Sequence, residues 1–134
     1  LYYLPAFTAG MLHLLERDLP EVDALVPVPL HRWRYAFRGF NQAVELSRPL
    51  ARASGLPVLR NIRRVRATAT QSGLNAAQRR RNLSGAFRVR GRIGCTQPLI
   101  VDDVMTTGET CNELASILLA AGAEAVSVLV VARA

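Results

Sequence analysis

The chain has 134 residues and a mass of 14.7 kDa, and half of its residues are hydrophobic while 20% are charged. This composition predicts one globular domain with a single buried core and excludes an intrinsically disordered chain. No run of 18 apolar residues occurs, and residues 1–5 lack a basic region and a cleavage site. We therefore expect neither a membrane span nor a signal peptide, but a cytoplasmic protein. Seventeen cations, all arginine, face ten carboxylates, and the net charge of +7 indicates an anionic partner, either a nucleic acid or a small polyphosphate.

The apolar pattern predicts helices and strands that alternate along most of the chain. The predicted helices span residues 6–19, 40–54 and 109–121, and the predicted strands span residues 23–29, 57–62, 86–89, 99–104 and 125–131. Because the strands are short and apolar, and helices separate them, they predict a parallel α/β sheet with helices on both faces. Residues 1–134 then form one domain, with residues 1–22 as an N-terminal helical flank.

The second predicted helix carries its own boundary signals. Asn41 is predicted to be its N-cap, because an Asn side chain accepts hydrogen bonds from the first helix amides. Gly55 is predicted to end it, because glycine adopts left-handed backbone without strain. Pro49 would cost about 3 kcal/mol inside a continuous helix, so we predict a kink or an interruption there.

A polar stretch over residues 63–82 follows the second predicted strand and lacks a clear apolar period. Connections of this length in compact domains are usually functional or mobile. Within the stretch, a short helix is predicted over residues 76–82.

The most informative segment is PLIVDDVMTTGET, residues 98–110. A buried strand leads into Asp102 and Asp103, and a turn of small residues then opens a helix. Such a turn presents backbone amides and the positive end of the helix dipole to an anion, so we expect a phosphate at residues 106–110. The two carboxylates suit sugar hydroxyls or the water shell of Mg²⁺. The segment therefore predicts a ribose 5-phosphate site at the carboxyl end of a strand.

A structural reading of the same residues stays open. Thr106 and Glu109 have the spacing of a capping box, and the two aspartates could simply solvate the end of a strand. The cysteines, Cys95 and Cys111, have no metal-motif spacing, and His13 and His31 have no partner at ligand spacing. We expect reduced, ordinary thiols and no protein metal cluster.

The segment 98–110 resembles the phosphoribosyl pyrophosphate (PRPP) motif of type I phosphoribosyltransferases. Four further stretches are similar to the competence protein F family, also called ComF or GntX. They are VPVPLHRWR (26–34), RGFNQA (38–43), TQSGLNAAQRRRNLSGAF (70–87) and VLVVARA (128–134). The resemblance covers residues 23–134 and implies the type I phosphoribosyltransferase fold, a Rossmann-like parallel sheet with helices on both faces.

The resemblance also implies roles for the matched positions. Asp102 and Asp103 would be the catalytic pair that contacts the ribose hydroxyls and Mg²⁺. The 5-phosphate would be held, largely through backbone, by Thr106, Thr107, Gly108, Glu109 and Thr110. The pyrophosphate would lie against Leu30, His31 and Arg32. A flexible loop that closes over the site would include Thr70, Gln71, Arg79, Arg80, Arg81 and Asn82, with the three arginines supplying charge to the pyrophosphate.

At the level of function, the resemblance implies a Mg²⁺-dependent, PRPP-binding phosphoribosyltransferase, which is a glycosyltransferase that releases pyrophosphate and whose acceptor is unknown. The alternative is a non-catalytic PRPP-fold module that binds single-stranded DNA during DNA uptake and natural transformation. A regulatory protein that uses PRPP as a signal is a third interpretation. Relatives usually carry a cysteine-rich zinc module before this domain, and the chain contains no such cysteines.

Two basic stretches outside the PRPP motif leave their function open. Arginines alternate with Trp33, Tyr35 and Phe37 in residues 32–38, a pattern that suits stacking against single-stranded nucleic acid but equally fits packed rings and solvated arginines. The arginines at 60, 63, 64 and 66 are either a solvated edge or a phosphate-binding surface.

Overall fold

The computed structural model describes residues 4–30, 41–65, 75, 77–78, 85–105 and 108–133. Its helices are α1 (Leu4–Asp18), α2 (Gln42–Ser54) and α3 (Glu109–Ala120). Its strands are β1 (Ala24–Pro27), β2 (Ile62–Arg64), β3 (Phe87–Val89), β4 (Pro98–Met105) and β5 (Ser127–Arg133). The predicted helices and most of the predicted strands are present, with their ends moved by a few residues.

A parallel sheet with the strand order β1-β4-β5 forms the centre of the fold. All residues of β1 and the first four residues of β4 are buried, as expected for strands that are covered on both faces. The strands β1 and β4 pair in a register that places Pro27 opposite Val101. This pairing confirms the predicted parallel α/β sheet.

The segment after α2 extends the sheet beyond β1 by a single bridge. The amide of Leu25 donates to the carbonyl of Pro57 at 2.8 Å, and the amide of Leu59 donates to the carbonyl of Leu25 at 2.9 Å. The predicted strand over residues 57–62 is therefore divided: its first residues lie beside β1, and its last residue begins β2.

The helices cover both faces of the sheet, because successive residues of a strand point to opposite sides. The face covered by α1 and α2 is formed by Met11, Leu15, Leu25, Leu46, Leu50, Leu99 and Val101. The face covered by α3 and by the β2–β3 hairpin is formed by Val26, Ile62, Phe87, Ile100, Leu114 and Leu118. Each fully buried aliphatic side chain contributes about 1.5–3 kcal/mol, so these two layers stabilise the fold.

The helix α1 is the predicted N-terminal flank, and its apolar side is part of the core. Met11 and Leu15 are both 4% exposed and pack in the same cluster as residues of α2. Among the described residues, no helix combines the length and the apolar character needed to cross a membrane.

The helix α2 has the boundaries that the sequence predicts. The Asn41 side chain accepts hydrogen bonds from the amides of Ala43 at 2.9 Å and Val44 at 3.4 Å. Gly55 has a φ of 77°, and its amide donates to the carbonyl of Ala51 at 2.8 Å. Both caps are confirmed.

Of the kink or interruption predicted at Pro49, the interruption is wrong, because the helix is continuous from Gln42 to Ser54, and the kink stays a prediction. Leu46 and Leu50 flank the proline along the chain and are 1% and 0% exposed. We infer that burying this apolar side outweighs the loss of the one hydrogen bond that proline cannot donate.

The strands β2 and β3 do not join the parallel sheet, which differs from the sequence prediction. They form an antiparallel hairpin with Ile62 opposite Val89 and Arg64 opposite Phe87. The physical reason lies in their composition, since each strand alternates a buried apolar residue with an exposed arginine. That pattern is typical of a sheet with one solvated face.

The few described residues between β2 and β3 agree with the short helix predicted there. The amide of Asn75 donates to Gln78 Oε1 at 2.9 Å, and the amide of Gln78 donates to Asn75 Oδ1 at 2.8 Å. This reciprocal pattern is that of a capped helix start. Most of the predicted range, residues 76–82, lies outside the described residues.

Candidate functional site

The carboxyl ends of β1 and β4 meet at one edge of the sheet, because the two strands are adjacent and parallel. After β1 the chain crosses to α2 on one face, and after β4 it enters α3 on the other face. Neighbouring strands with connections on opposite faces form a topological switch point, where open α/β sheets bind their ligands. Asp102 and Asp103 lie on the β4 side of this edge, and Leu30 follows β1 on the other side.

The two aspartates begin where β4 leaves the core. Both are half-buried, after four buried residues in the same strand. Asp102 Oδ1 accepts a hydrogen bond from the amide of Asp103 at 2.9 Å, and Asp103 Oδ1 accepts one from the amide of Val104 at 2.9 Å. These bonds orient the two carboxyl groups at the end of the strand, next to the crevice.

Asp102 is the more unusual of the two carboxyl groups. Burial, followed by a hydrogen bond with Asp103 and the negative charge of Asp103, raises its pKa from 3.8 to about 7. The backbone amide of Asp103 and the positive charge of Arg64 on the hairpin act in the opposite direction. At neutral pH the Asp102 carboxyl can therefore bind or release a proton.

Cys111 lies in the first turn of α3, and the negative charge of Asp102 also affects its thiol. Its side chain is 3% exposed. Burial, followed by the negative charge of Asp102, raises the pKa of its thiol to about 11. A protonated buried thiol is a poor nucleophile, so Cys111 fills the core beneath the site. Cys95 is likewise a free thiol, in agreement with the predicted reduced state.

The turn before α3 places a glycine where the sequence requires one. Gly108 has a φ of 82° and is the N-cap of α3, which begins at Glu109 as predicted. A capping box would need Thr106 at the N-cap and Glu109 at the third helical position. The observed register makes Glu109 the first helical residue, so the capping-box alternative is wrong in that form.

The β1 side of the edge carries a pocket that the sequence did not predict. Its volume is about 320 Å³. It is lined by Pro27, Pro29, Leu30, Asn41, Val44, Val58, Leu59, Arg60 and Ile62. Asn41 connects its walls, because its Nδ2 donates to the carbonyl of Val28 at 3.1 Å while its Oδ1 caps α2. The RGFNQA motif marked Asn41, but only the three-dimensional structure brings α2 and residues 57–62 around the end of β1.

The described part of the predicted site thus comprises Leu30, Asp102, Asp103, Gly108, Glu109 and Thr110. The other predicted site residues lie outside the described residues, and their roles stay predictions; these are His31, Arg32, Thr70, Gln71, Arg79, Arg80, Arg81, Asn82, Thr106 and Thr107. Within the described residues, no group of three or more His, Cys, Asp or Glu side chains could hold a metal ion.

Solved structures with the same fold define the class of protein. An HPRT (hypoxanthine phosphoribosyltransferase) variant with glutamic acid in place of an invariant aspartic acid matches 99% of this chain and 75% of its own, with a TM-score of 0.51 and 17% identity. The asparagine variant matches 99% of this chain and 73% of its own, again with a TM-score of 0.51 and 17% identity. The chain therefore has the type I phosphoribosyltransferase fold, as its motifs predict.

Sequence comparison finds relatives that are more similar to this chain than the solved structures are. Competence protein F of Haemophilus influenzae is 43% identical over 138 residues, covering 100% of this chain and 58% of the relative. The DNA utilization protein YhgH of Salmonella typhi is 47% identical over 116 residues, which cover 86% of this chain and 51% of the relative. No family model matches the chain. The chain is homologous to competence protein F and to YhgH over the region that it spans, which is about half the length of these curated relatives.

Proposed function

We propose that this domain binds Mg²⁺-PRPP in the crevice between β1 and β4 and transfers its phosphoribosyl group to an acceptor with release of pyrophosphate. The observation that carries the proposal is the position of Asp102 and Asp103. They lie in the half-buried part of the central strand β4, just beyond the residue that pairs with the last residue of β1, at the topological switch point of the fold. The acceptor is a nucleophile that the described residues do not identify.

The proposed roles follow the two sides of the crevice. On the β4 side, Asp102 and Asp103 accept hydrogen bonds from the ribose hydroxyls. The backbone at Gly108 to Thr110, together with Thr106 and Thr107, holds the 5-phosphate at the positive end of α3. On the β1 side, the loop that begins at Leu30 contacts the pyrophosphate. The arginines at 79–81 add positive charge to the leaving group.

The carboxylate pair fits Mg²⁺ in the way this ion usually binds. Mg²⁺ prefers oxygen ligands and is commonly held by one or two carboxylates together with phosphates of the substrate, rather than by an all-protein cage. Two adjacent carboxyl groups, once ionised, meet that requirement, and no third acidic ligand is needed. When bound, the ion would neutralise charge on the pyrophosphate.

In the proposed reaction, a lone pair of the acceptor forms a bond to the anomeric carbon of PRPP. The bond from that carbon to the pyrophosphate oxygen breaks, and pyrophosphate leaves with the electron pair. Positive charge develops on the ribose ring in the transition state. The carboxylates of Asp102 and Asp103 would stabilise this charge and hold the ribose in position.

The test is calorimetry of PRPP binding with and without Mg²⁺. Each hydrogen bond to a charged group contributes about 1.5–3 kcal/mol, so the double variant Asp102→Asn/Asp103→Asn should bind PRPP at least about 100-fold more weakly. The control Asp18→Asn/Glu124→Gln removes two exposed carboxylates and should bind as the wild type does. Unchanged affinity in the folded Asp102/Asp103 variant would overturn the proposal. Pyrophosphate release with added acceptors then separates catalysis from binding alone.

A second candidate function is a PRPP-fold module that handles single-stranded DNA during DNA uptake. The names of the relatives, competence protein F and DNA utilization protein YhgH, support it. The chemical support in this chain is the distribution of its arginines.

A further inference from the structure

The arginines of this chain are separated from its acids along the sequence. Between Glu45 and Asp102 the chain contains twelve arginines and no aspartate or glutamate. No carboxylate within this span neutralises its positive charge. The hairpin formed by β2 and β3 lies within the span and carries a described part of this charge.

The hairpin presents its arginines on the side that faces away from the core. Ile62 and Phe87 are 8% and 3% exposed and pack in the cluster under α3, so one face of the hairpin is buried. On the opposite face, Arg63 of β2 pairs directly with Arg88 of β3. Arg90 continues this face, because its amide donates to the carbonyl of Asn61 at 2.7 Å and so keeps the register.

Three exposed arginines, Arg63, Arg88 and Arg90, thus form one surface, the arginine face. The described salt bridges lie elsewhere, on α1 and α2, and join Arg17 to Asp18 and Arg48 to Glu45. Like charges placed directly opposite in an antiparallel pair destabilise the sheet. The fold therefore maintains a local repulsion on this face that an anion bound between the arginines would relieve.

We propose that the arginine face binds the phosphodiester backbone of a single-stranded nucleic acid. The inference deepens the second candidate function and does not depend on phosphoribosyl transfer. Two residues along a strand rise about 6.6–6.8 Å, so Arg88 and Arg90 are separated by a distance comparable to that between successive phosphates of an extended single strand. A two-stranded ribbon is narrow, and guanidinium planes both bind phosphate and stack on unpaired bases.

The inner side of the same hairpin faces the candidate PRPP site. Arg64, whose parity in β2 is that of the buried Ile62, lies close enough to Asp102 for its positive charge to lower the pKa of that carboxyl. A strand bound on the arginine face would therefore contact a set of residues that is separate from the candidate PRPP site. Binding of nucleic acid and binding of PRPP can accordingly be measured independently.

The experiment is fluorescence anisotropy of a labelled single-stranded DNA 20-mer over a range of salt concentrations. The test variant is Arg63→Gln/Arg88→Gln/Arg90→Gln. The matched control is Arg17→Gln/Arg48→Gln/Arg52→Gln, which removes three exposed arginines from the other side of the sheet. Both variants lower the net charge by three, from +7 to +4. Circular dichroism verifies that each variant is folded.

Each lost phosphate contact reduces the slope of log K against log salt by about 0.7 for single strands. The test variant should therefore lose about 2 from the slope and bind about 50-fold more weakly at 0.15 M salt, while the control should stay within about threefold of wild type. Equal losses in both variants would mean that only net charge matters, and would overturn the proposal. So would tighter binding of a duplex, or equal competition by polyglutamate.

A labelled single-stranded RNA of the same sequence, measured in the same way, shows whether the arginine face prefers DNA or RNA. PRPP binding, measured by calorimetry on the same variants, should be unchanged. If the test variant loses DNA binding but keeps PRPP binding, the arginine face is supported. If the wild type binds DNA but not PRPP, only the proposed transferase is refuted.

Discussion

Replacing Asp102 by asparagine should make this domain more stable at pH 8 while removing its ability to bind PRPP. The Asp102 carboxyl is held half-buried beside Asp103 at the end of β4, and its pKa is raised to about 7. Above that pH the fold must maintain a negative charge in a place that disfavours it. Asparagine keeps an oxygen that can accept the hydrogen bond from the Asp103 amide and removes the charge.

The sign and size follow from linkage between protonation and folding. The protonated Asp102 contributes stability that is fully present below the unfolded pKa of 3.8 and is lost as the pH rises to about 7. The whole rise in pKa corresponds to about 4 kcal/mol. Because the group is only half-buried, water screens part of this penalty, and we expect about 1–2 kcal/mol at pH 8.

The assay is urea denaturation of the wild type and of Asp102→Asn at pH 5 and pH 8. The free energy of unfolding of the variant should exceed that of the wild type at pH 8, and the difference should shrink toward pH 5. The exposed substitution Glu124→Gln serves as the control for removal of one carboxylate. A variant that is less stable than the wild type at pH 8, or a difference that does not change with pH, would refute this reasoning.

Four further substitutions test the local structure by chemical denaturation. Gly108→Ala should destabilise by about 1–2 kcal/mol because φ is 82° there, whereas Gly10→Ala, inside α1 with open space around it, should stabilise by about 0.5–1 kcal/mol. Arg88→Glu should stabilise by about 0.2–1 kcal/mol at low salt, because it replaces repulsion with Arg63 by attraction; an unchanged midpoint would argue against the pair. Asn41→Ala should cost about 1–3 kcal/mol through the lost cap, and a smaller loss would show that water replaces it.

The sequence predicts the central part of the fold well because its signals are local. The run from residue 98 to residue 110 predicts a buried strand followed by a helix start near residue 109, and both are observed. The caps of α2 are equally local, since Asn41 and Gly55 act within four residues of themselves.

The remaining features depend on contacts between distant parts of the chain. The strands of Ile62 and Phe87 pair with each other rather than with the parallel sheet because both side chains pack under α3. No local sequence pattern encodes that packing. The pocket at the end of β1 needs α2 and residues 57–62 to converge. The raised pKa of Asp102 likewise depends on burial and on Asp103 together, so the motif predicts the carboxylates but not their protonation.

A crystal structure with Mg²⁺ and PRPP tests the central claim most directly. The account predicts the 5-phosphate at the amides of Gly108 to Thr110, the ribose hydroxyls against Asp102 and Asp103, and the pyrophosphate toward Leu30 at the end of β1. PRPP bound at another edge of the sheet, or absent from this crevice at saturating concentration, would contradict it.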